Sequence, residues 1–211
     1  MSYLRQLARR AVRSMYVQIH QWQGSLWNRN TPPGEDRRGL DIGCGPRKRS
    51  GFIGADLVPV AGVDVICDLA NGKWPFADNT FDVVNASHVF EHIADLDFVL
   101  SETARVIKHG AKLQVSLPYA GDLRAFQDPT HVRFFTLKTF EYYVAEGSRV
   151  GAWYQPKYFR QITRRHLVFG LGPLSLLMGL IVNRSQYLLD LYEASFLRVI
   201  AAKDLQVELE K

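Results

Sequence analysis

Short apolar runs alternate with amphipathic stretches between residues 39 and 118. Five runs have the length of buried strands: Gly39–Gly43, Phe52–Leu57, Val63–Cys67, Phe81–Ala86 and Lys112–Leu117. The pattern also predicts a helix from about Val89 and an amphipathic helix over Leu96–Ile107. Strands that alternate with helices are typical of an α/β fold, in which a mostly parallel sheet is covered on both faces.

The C-terminal part of the chain predicts two further strands with helical structure between them. The strands are Arg165–Phe169 and Leu205–Leu209, and the helical segment is Leu174–Ala202. The tail DLQVELEK alternates apolar and charged residues, as a strand with one solvated face does. We therefore expect seven strands, with the last strand antiparallel to the others.

The length and composition of the chain fit one domain. A chain of 211 residues that is 47% hydrophobic can bury one sizeable core. Cys44 and Cys67 fall in predicted core elements, which favours free buried thiols and a reducing cytoplasm. The start MSYLRQLARR carries charge where a signal peptide has its apolar run, which also predicts a cytoplasmic protein.

The net charge of +5 lies entirely in an N-terminal arm. Residues 1–38 contain seven arginines, Glu35 and Asp36, whereas residues 39–211 balance at 19 basic and 19 acidic residues. That balance argues against a nucleic-acid partner. Apolar residues of the arm follow helical spacing: Leu4, Leu7, Ala8, Ala11, Val12, Met15 and Ile19. Residues 1–37 thus predict a basic amphipathic helical arm, which either packs over the core or lies at the inner face of a membrane.

An uncharged run extends from Leu167 to Val182. It is shorter than the roughly 20 residues that a membrane span needs, and Gly170, Gly172 and Pro173 interrupt it. We expect a strand end, a turn and the start of a buried helix. A surface that dips into lipid is the alternative.

The loop LDIGCGPRKRSGFIGADLV resembles a dinucleotide-binding fingerprint but departs from it. Gly43 and Gly45 are present, whereas Lys48 takes the place of the third glycine of G-x-G-x-x-G. Asp41 would repel a pyrophosphate and suits an ammonium group. Asp56, at the end of the next strand, suits a ribose diol, and Asp68 suits an adenine amino group. A ligand with these three groups and no phosphate is S-adenosylmethionine.

Three motifs in order resemble the class I S-adenosylmethionine-dependent methyltransferases that act on small molecules, lipids and glycans. They are LDIGCGP, WPFADNTFDVVNASHVFEHI and SETARVIKHGAKLQVSLP, within residues 38–118. The resemblance implies a Rossmann-like, doubly wound sheet in the strand order 3-2-1-4-5-7-6, with helices on both faces. It also implies S-adenosylhomocysteine as the product.

The resemblance assigns cofactor contacts to matching positions of this chain. Those contacts are Asp41, Gly43 and Gly45 at the methionine end, Asp56 and Leu57 at the ribose, Asp68 and Leu69 at the adenine, and Ser87 and His88 beside the sulfonium. Local alternatives remain open. Asp68 is also a turn former, and Ser87 can cap the following helix. Glu91 and His92 are interpreted as structural polar groups that tie this helix to a loop.

Residues 119–160 are aromatic and irregular, and they predict a lid that binds the methyl acceptor. His131 is the first choice for a general base, oriented by Asp128, and His88 is the second. Two alternatives stay open. Asp128 and His131 either only stabilise the turn of the lid or hold a magnesium ion. With two candidate ligands, no metal is expected.

One segment of the predicted lid also indicates a class of acceptor. The segment DPTHVRFFT resembles one found in family members encoded with glycan-building enzymes, which favours O-methylation of a glycan, glycolipid or related metabolite in polysaccharide biosynthesis. An N- or C-methyltransferase of a small or lipid-linked molecule is the alternative within enzymes. A non-catalytic S-adenosylmethionine-binding subunit is the alternative outside them, and a homodimer stays open.

Overall fold

The computed structural model of the chain describes residues 38–170 and 172–211. The predicted basic arm, residues 1–37, lies outside the described residues. The described part contains one seven-stranded sheet in the order β3-β2-β1-β4-β5-β7-β6. This order and the flanking helices confirm the predicted Rossmann-like class.

The strands follow the predicted apolar runs with small shifts at their ends. They are β1 (Gly39–Ile42), β2 (Phe52–Asp56), β3 (Val65–Ile66), β4 (Phe81–Ser87), β5 (Ile107–Pro118), β6 (Gln161–Phe169) and β7 (Ala202–Glu210). Strands β3, β2, β1, β4 and β5 pair in parallel. Strand β7 lies antiparallel to both β5 and β6, which confirms the prediction for the tail. Side chains of the central strands are fully buried, among them Leu40, Ile42, Val84, Leu113 and Val207.

Four α-helices occur in the described residues: α1 (Leu96–Val106), α2 (Arg124–Gln127), α3 (Pro173–Val182) and α4 (Gln186–Ala194). Asp95 begins α1, because its carboxylate accepts a hydrogen bond of 2.9 Å from the backbone N–H of Phe98. Ser185 caps α4 in the same way, through the N–H of Leu188. The predicted amphipathic helix Leu96–Ile107 is therefore confirmed as α1.

The predicted helix from Val89 is wrong. The chain forms only a 3-10 turn over Phe90–His92 before α1 begins. The backbone carbonyl of Glu91 accepts hydrogen bonds from the N–H groups of Val132 and Arg133 instead of a helical partner. A tertiary contact with the segment 119–160 thus replaces the local helix.

The predicted helical segment Leu174–Ala202 is broken into α3, α4 and a 3-10 turn over Phe196–Val199. The break lies at Asn183, whose side chain binds the backbone N–H and C=O of Leu167 on β6. Because these bonds dock the end of α3 against the sheet, the chain turns before α4 starts.

The uncharged run 167–182 contains the end of β6, a turn and helix α3, as expected. The expectation that this helix is buried is wrong, since only Val182 of α3 is buried. Four apolar side chains of α3 are well exposed: Leu174, Leu177, Leu180 and Ile181. Within the described ranges, no helix has both the length and the apolar character needed to cross a membrane.

Segment 119–160 runs beside the end of the sheet and contains helix α2 and a 3-10 helix over Thr139–Tyr143. Single backbone bridges join parts of the segment to one another, between Tyr119 and Phe135 and between Val144 and Phe159, and the N–H of Tyr119 donates to the carbonyl of Lys203 on β7. Both cysteines are free, but only Cys67 is buried. Cys44 is half-buried because it lies in the glycine loop after β1 and not in a strand.

Candidate active site

The glycine loop lies where β1 ends, at the edge of the sheet that the five parallel strands share. Gly43 adopts a φ of +62°, a region that L-residues disfavour. A Cβ atom there would lie 2.3 Å from Val89 Cγ2. Gly45 also has a positive φ, but nothing lies within 4 Å of the position of its missing Cβ. The loop therefore presents backbone, without side-chain cover, beside Gly45.

The buried side chain of Asp41 holds this loop in place. Its side chain is 4% exposed and accepts hydrogen bonds from the Arg49 N–H at 2.8 Å and from Asn85 Nδ2 at 2.6 Å. Asp41 thereby ties the far end of the loop to the neighbouring strand β4. This geometry fits a positioning role, and the predicted contact of Asp41 with an ammonium group stays a prediction.

Asp56 lies at the end of β2, against the same loop. Its two carboxylate oxygens accept from the N–H of Gly45 at 2.9 Å and from the N–H of Val58 at 3.1 Å. An ionised carboxylate offers about four lone-pair sites, so Asp56 can still accept from other donors. The adjacent Leu57 is well exposed.

Asp68 and Leu69 follow β3. Asp68 accepts from the Ala70 N–H at 2.9 Å and from Asn71 Nδ2 at 3.0 Å, and these bonds lower the pKa of its carboxyl group. Leu69 is buried, and its carbonyl accepts from the indole N–H of Trp74. Asp68 thus has the local bonds of a turn former and is also placed at the edge predicted for adenine.

Ser87 and His88 lie at the carboxyl end of β4. Ser87 pairs with Ser116 of β5, and the 3-10 turn begins only after Val89, so Ser87 is not at its capping position. His88 has a φ of +55°, which costs a non-glycine residue about 1–3 kcal/mol. Its N–H donates to the Ser116 carbonyl at 2.7 Å. Strained backbone of this kind is common at functional sites.

The ring of His88 borders a cavity of about 600 Å³ between the end of β4, the start of β7 and helix α2. The cavity is lined by His88, Glu91, His92, Pro118, Arg124, Gln127, Asp128, Pro129, His131 and Asp204. His88 Nδ1 lies 3.3 Å from Glu91 Oε1, and this carboxylate raises the pKa of the His88 imidazole. All three predicted catalytic residues therefore line one cavity.

The pair Asp128 and His131 is close but not hydrogen-bonded. His131 Nε2 lies 3.9 Å from Asp128 Oδ2, and His131 Nδ1 donates to the Ala125 carbonyl at 2.8 Å. Asp128 instead accepts from the N–H and the hydroxyl of Thr130, which lowers the pKa of its carboxyl group. The Ala125 carbonyl therefore fixes the His131 ring, and the catalytic roles of both residues stay predictions.

Sequence reasoning missed five polar residues of the cavity: Glu91, His92, Arg124, Gln127 and Asp204. Glu91 and His92 were interpreted as structural, and Arg124 was not considered. Neither carboxylate oxygen of Glu91, nor Nη2 of Arg124, has a hydrogen-bond partner among residues 38–170 and 172–211. The signal available in the sequence was the polar pair Glu91–His92 directly after a buried strand.

Comparison with known proteins finds a family model that matches the central part of the chain. Residues 40–115 match the family described as a methyltransferase domain. No curated protein matches the chain.

Solved structures share the fold over most of the chain. A methyltransferase from Archaeoglobus fulgidus, described as S-adenosylmethionine-dependent, is 19% identical with a TM-score of 0.56, covering 83% of this chain and 86% of that one. The YcgJ protein from Bacillus subtilis is 17% identical with a TM-score of 0.55, covering 89% and 97%.

A larger protein carries the same fold in about half its length. Phosphoethanolamine N-methyltransferase 2 from Haemonchus contortus, solved with S-adenosylmethionine, is 18% identical with a TM-score of 0.58, covering 90% of this chain and 52% of that one. At such identities the likeness establishes the fold. Residues 40–115 thus match a methyltransferase domain family, and the chain shares its fold with solved S-adenosylmethionine-dependent methyltransferases.

Proposed function

We propose that the protein transfers a methyl group from S-adenosylmethionine to a hydroxyl group of an acceptor held in the cavity beside His88. One observation carries the proposal: His88 stands both at the carboxyl end of β4, next to the glycine loop, and on the wall of the cavity. A cofactor on one side of this residue and an acceptor on the other would meet there.

The loop residues fit the cofactor. Gly45 leaves open backbone where a ligand can approach, and Asp56 keeps accepting capacity for the ribose hydroxyls. Asp68 and Leu69 lie after the neighbouring strand, at the predicted adenine end. When bound, S-adenosylmethionine supplies an electrophilic methyl group and leaves as neutral S-adenosylhomocysteine.

The chain's own contribution is placement and proton removal. Holding an acceptor oxygen in line at about 3 Å supplies much of the rate of such a transfer. A hydroxyl acceptor also loses its proton as the oxygen–carbon bond forms, so a nearby base is required. We assign the removal of this proton to His88, because the His88 side chain is about half exposed on the cavity wall whereas the His131 side chain is nearly buried.

Segment 119–160 supplies the other wall and serves as the acceptor-binding lid in this proposal. A glycan, glycolipid or related hydroxylated metabolite suits a cavity that is lined mainly by polar side chains. The similar Haemonchus contortus protein is by its name an N-methyltransferase. An amine acceptor is accordingly the second class to be screened, followed by carbon acceptors.

We also propose that the protein works at a lipid surface. The apolar side chains of α3 are exposed, as are Phe196 and Val199 of the 3-10 turn after α4, and the exposed Arg184 lies two residues after the end of α3. Residues 1–38 carry the net charge of +5. An apolar face accompanied by cations suits an anionic membrane surface.

Calorimetry with S-adenosylmethionine tests the cofactor half of the proposal. Asp56→Ala should weaken binding by about 1–3 kcal/mol, because the ribose loses a charged acceptor. The matched control is Asp190→Ala on α4, which pairs with Lys138 away from the glycine loop. Equal affinity of the two variants would contradict the site.

A screen of hydroxylated, amine and carbon acceptors, read by release of S-adenosylhomocysteine, tests the reaction. His88→Asn should lower turnover about 10²–10⁴-fold with cofactor affinity retained. Turnover on amines alone would replace the hydroxyl assignment. Cofactor binding without turnover on any class would favour the non-catalytic subunit.

A further inference from the structure

Three side chains that bind metals well meet on the wall of the cavity. Glu91 and His92 come from the 3-10 turn after β4, and His131 comes from the facing segment 119–160. Each offers one ligand atom, and these atoms lie within 4.8 Å of one another. Two imidazoles and one carboxylate converge although 38 residues separate the turn from His131 in the sequence.

The hydrogen bond of His131 fixes which ring nitrogen carries its lone pair. A carbonyl oxygen only accepts, so the 2.8 Å contact with Ala125 requires a proton on Nδ1 of His131. In the neutral ring, Nε2 is then the unprotonated nitrogen. A histidine that donates its other N–H to a backbone carbonyl is the usual arrangement of a metal ligand.

His92 is fixed in the same tautomer by a relay. The hydroxyl of Thr130 donates to Asp128 Oδ1 at 2.7 Å, so its oxygen must accept from His92 Nδ1, which lies 2.9 Å away. Nε2 of His92 is thereby also left with its lone pair. Asp128, through Thr130, orients His92 and not the histidine for which the sequence suggested it.

The carboxylate of Glu91 is the observation that indicates a bound ligand. Its side chain is almost fully buried, yet neither carboxylate oxygen has a hydrogen-bond partner in the described part of the chain. His88 Nδ1 lies 3.3 Å from Glu91 Oε1 but does not form a hydrogen bond with it. A buried carboxylate without a partner is costly, and a bound cation removes that cost.

We propose that Glu91, His92 and His131 form a binding site for a divalent transition-metal ion of the zinc type. Two nitrogen donors and one carboxylate match the His₂Glu set of catalytic zinc sites, whereas magnesium and calcium prefer oxygen ligands. Zinc bonds of about 2 Å place tetrahedral ligand atoms roughly 3.3 Å apart. The three ligand atoms lie within 4.8 Å of one another, so each would move by about 1 Å toward a bound ion.

A zinc-type ion takes four ligands, so three protein ligands leave at least one coordination position. All three ligands line the cavity, so we expect that position to open into it. If the cavity takes the acceptor as proposed above, that position suits an acceptor oxygen, whose proton becomes easier to remove. This second part rests on the proposed function, but metal binding itself does not. The site departs from the sequence expectation that no metal is held.

Titration of the full chain with zinc alone, by calorimetry at neutral pH, tests the site. We expect one ion per chain, and cobalt should give the visible absorption bands of a tetrahedral nitrogen–oxygen site. His92→Ala and Glu91→Gln should each weaken zinc binding by more than about 100-fold, and Thr130→Val by about 10–100-fold through loss of the relay. The exposed His109 supplies the matched control, His109→Ala.

Stability of the metal-free protein gives an independent sign. In chelator, Glu91→Gln should unfold at a higher temperature than the wild type, because it removes a buried charge that has no hydrogen-bond partner in the described residues. A carboxylate that served only the fold would give the opposite result. Zinc binding that is unchanged in His92→Ala and Thr130→Val, or a stoichiometric site lost in His109→Ala, would overturn the proposal.

The proposal and the methyl-transfer function fail separately. The zinc titration contains neither cofactor nor acceptor, so its outcome does not depend on turnover. Asp56→Ala, expected to lose cofactor affinity, should keep its zinc affinity within about threefold, since Asp56 is not among the residues that line the cavity.

Discussion

Gly43→Ala tests the glycine loop at its tightest point. The backbone there has a φ of +62°, and the added Cβ would approach Val89 Cγ2 to 2.3 Å and Cγ1 to 3.0 Å. Val89 is itself buried and β-branched, so its side chain has little freedom to move away. Two separate costs therefore fall on this one methyl group.

The two costs can be estimated. A left-handed conformation costs an alanine about 1–2 kcal/mol, and overpacking adds about 1–3 kcal/mol. Their sum is about 2–5 kcal/mol of lost folding free energy. For a domain of this size, that is a fall in the melting temperature on the order of 10 °C.

Gly45→Ala is the matched control, since Gly45 has a φ of +49° but open space at its Cβ position. Only the conformational cost of about 1–2 kcal/mol applies to its stability. The new methyl group would project toward the proposed cofactor, so affinity for S-adenosylmethionine should fall by roughly tenfold, or about 1.4 kcal/mol. Thermal unfolding and calorimetry separate the two variants.

A double-mutant cycle isolates the clash. In a Val89→Ala background, Gly43→Ala should cost little more than the conformational part, because both methyl groups that it meets are gone and only the Cβ contact at 3.2 Å remains. The reasoning is refuted if Gly43→Ala and Gly45→Ala destabilise equally. An equal cost of Gly43→Ala in both backgrounds would refute it as well.

Three further predictions concern stability and membrane contact. Burial, with help from the Arg164 charge, lowers the pKa of His166 to about 4. The His166 imidazole of the unfolded chain binds a proton near pH 6.5, whereas that of the folded chain does not. Urea unfolding should therefore show stability falling by about 1–3 kcal/mol from pH 6.5 to 4, and His166→Asn should flatten that fall. Leu177→Ser with Leu180→Ser should weaken co-sedimentation with anionic vesicles without lowering the melting temperature; unchanged co-sedimentation, or equal binding to neutral vesicles, would contradict the lipid surface. Asn183→Ala should cost about 1–3 kcal/mol in thermal unfolding, since the backbone groups of Leu167 lose both side-chain partners, and a loss below 0.5 kcal/mol would contradict this account.

Resemblance and pattern together predicted most of the fold. The apolar runs located strands β1 to β5, because a strand buried on both faces must be apolar along its own length. Strand β7 was located by its alternation of apolar and charged residues instead. The strand order came from the motifs of residues 38–118, since pattern alone does not say which strands are neighbours. The helix after β4 was wrong because the Glu91 carbonyl is used by Val132 and Arg133, which are distant in sequence.

The candidate site was also predictable only in part from the sequence. That Gly43, Gly45 and Asp56 lie together could be predicted, because they belong to one loop and the strand beside it, where spacing reports proximity; their contacts with a cofactor stay predictions. The roles of Asp128 and His131 could not, because a spacing of three residues does not state which partner each side chain chooses. His131 binds the Ala125 carbonyl and Asp128 binds Thr130.

By itself, the sequence determined the α/β class, the glycine loop and the acids that end the strands, because these features depend on neighbours along the chain. Only the tertiary structure decided that α3 exposes its apolar face and that Glu91, His92 and His131 meet on one cavity wall. Such features depend on distances between segments that are remote in sequence. Hydropathy and spacing carry no record of those distances until the sheet and the segment 119–160 have packed.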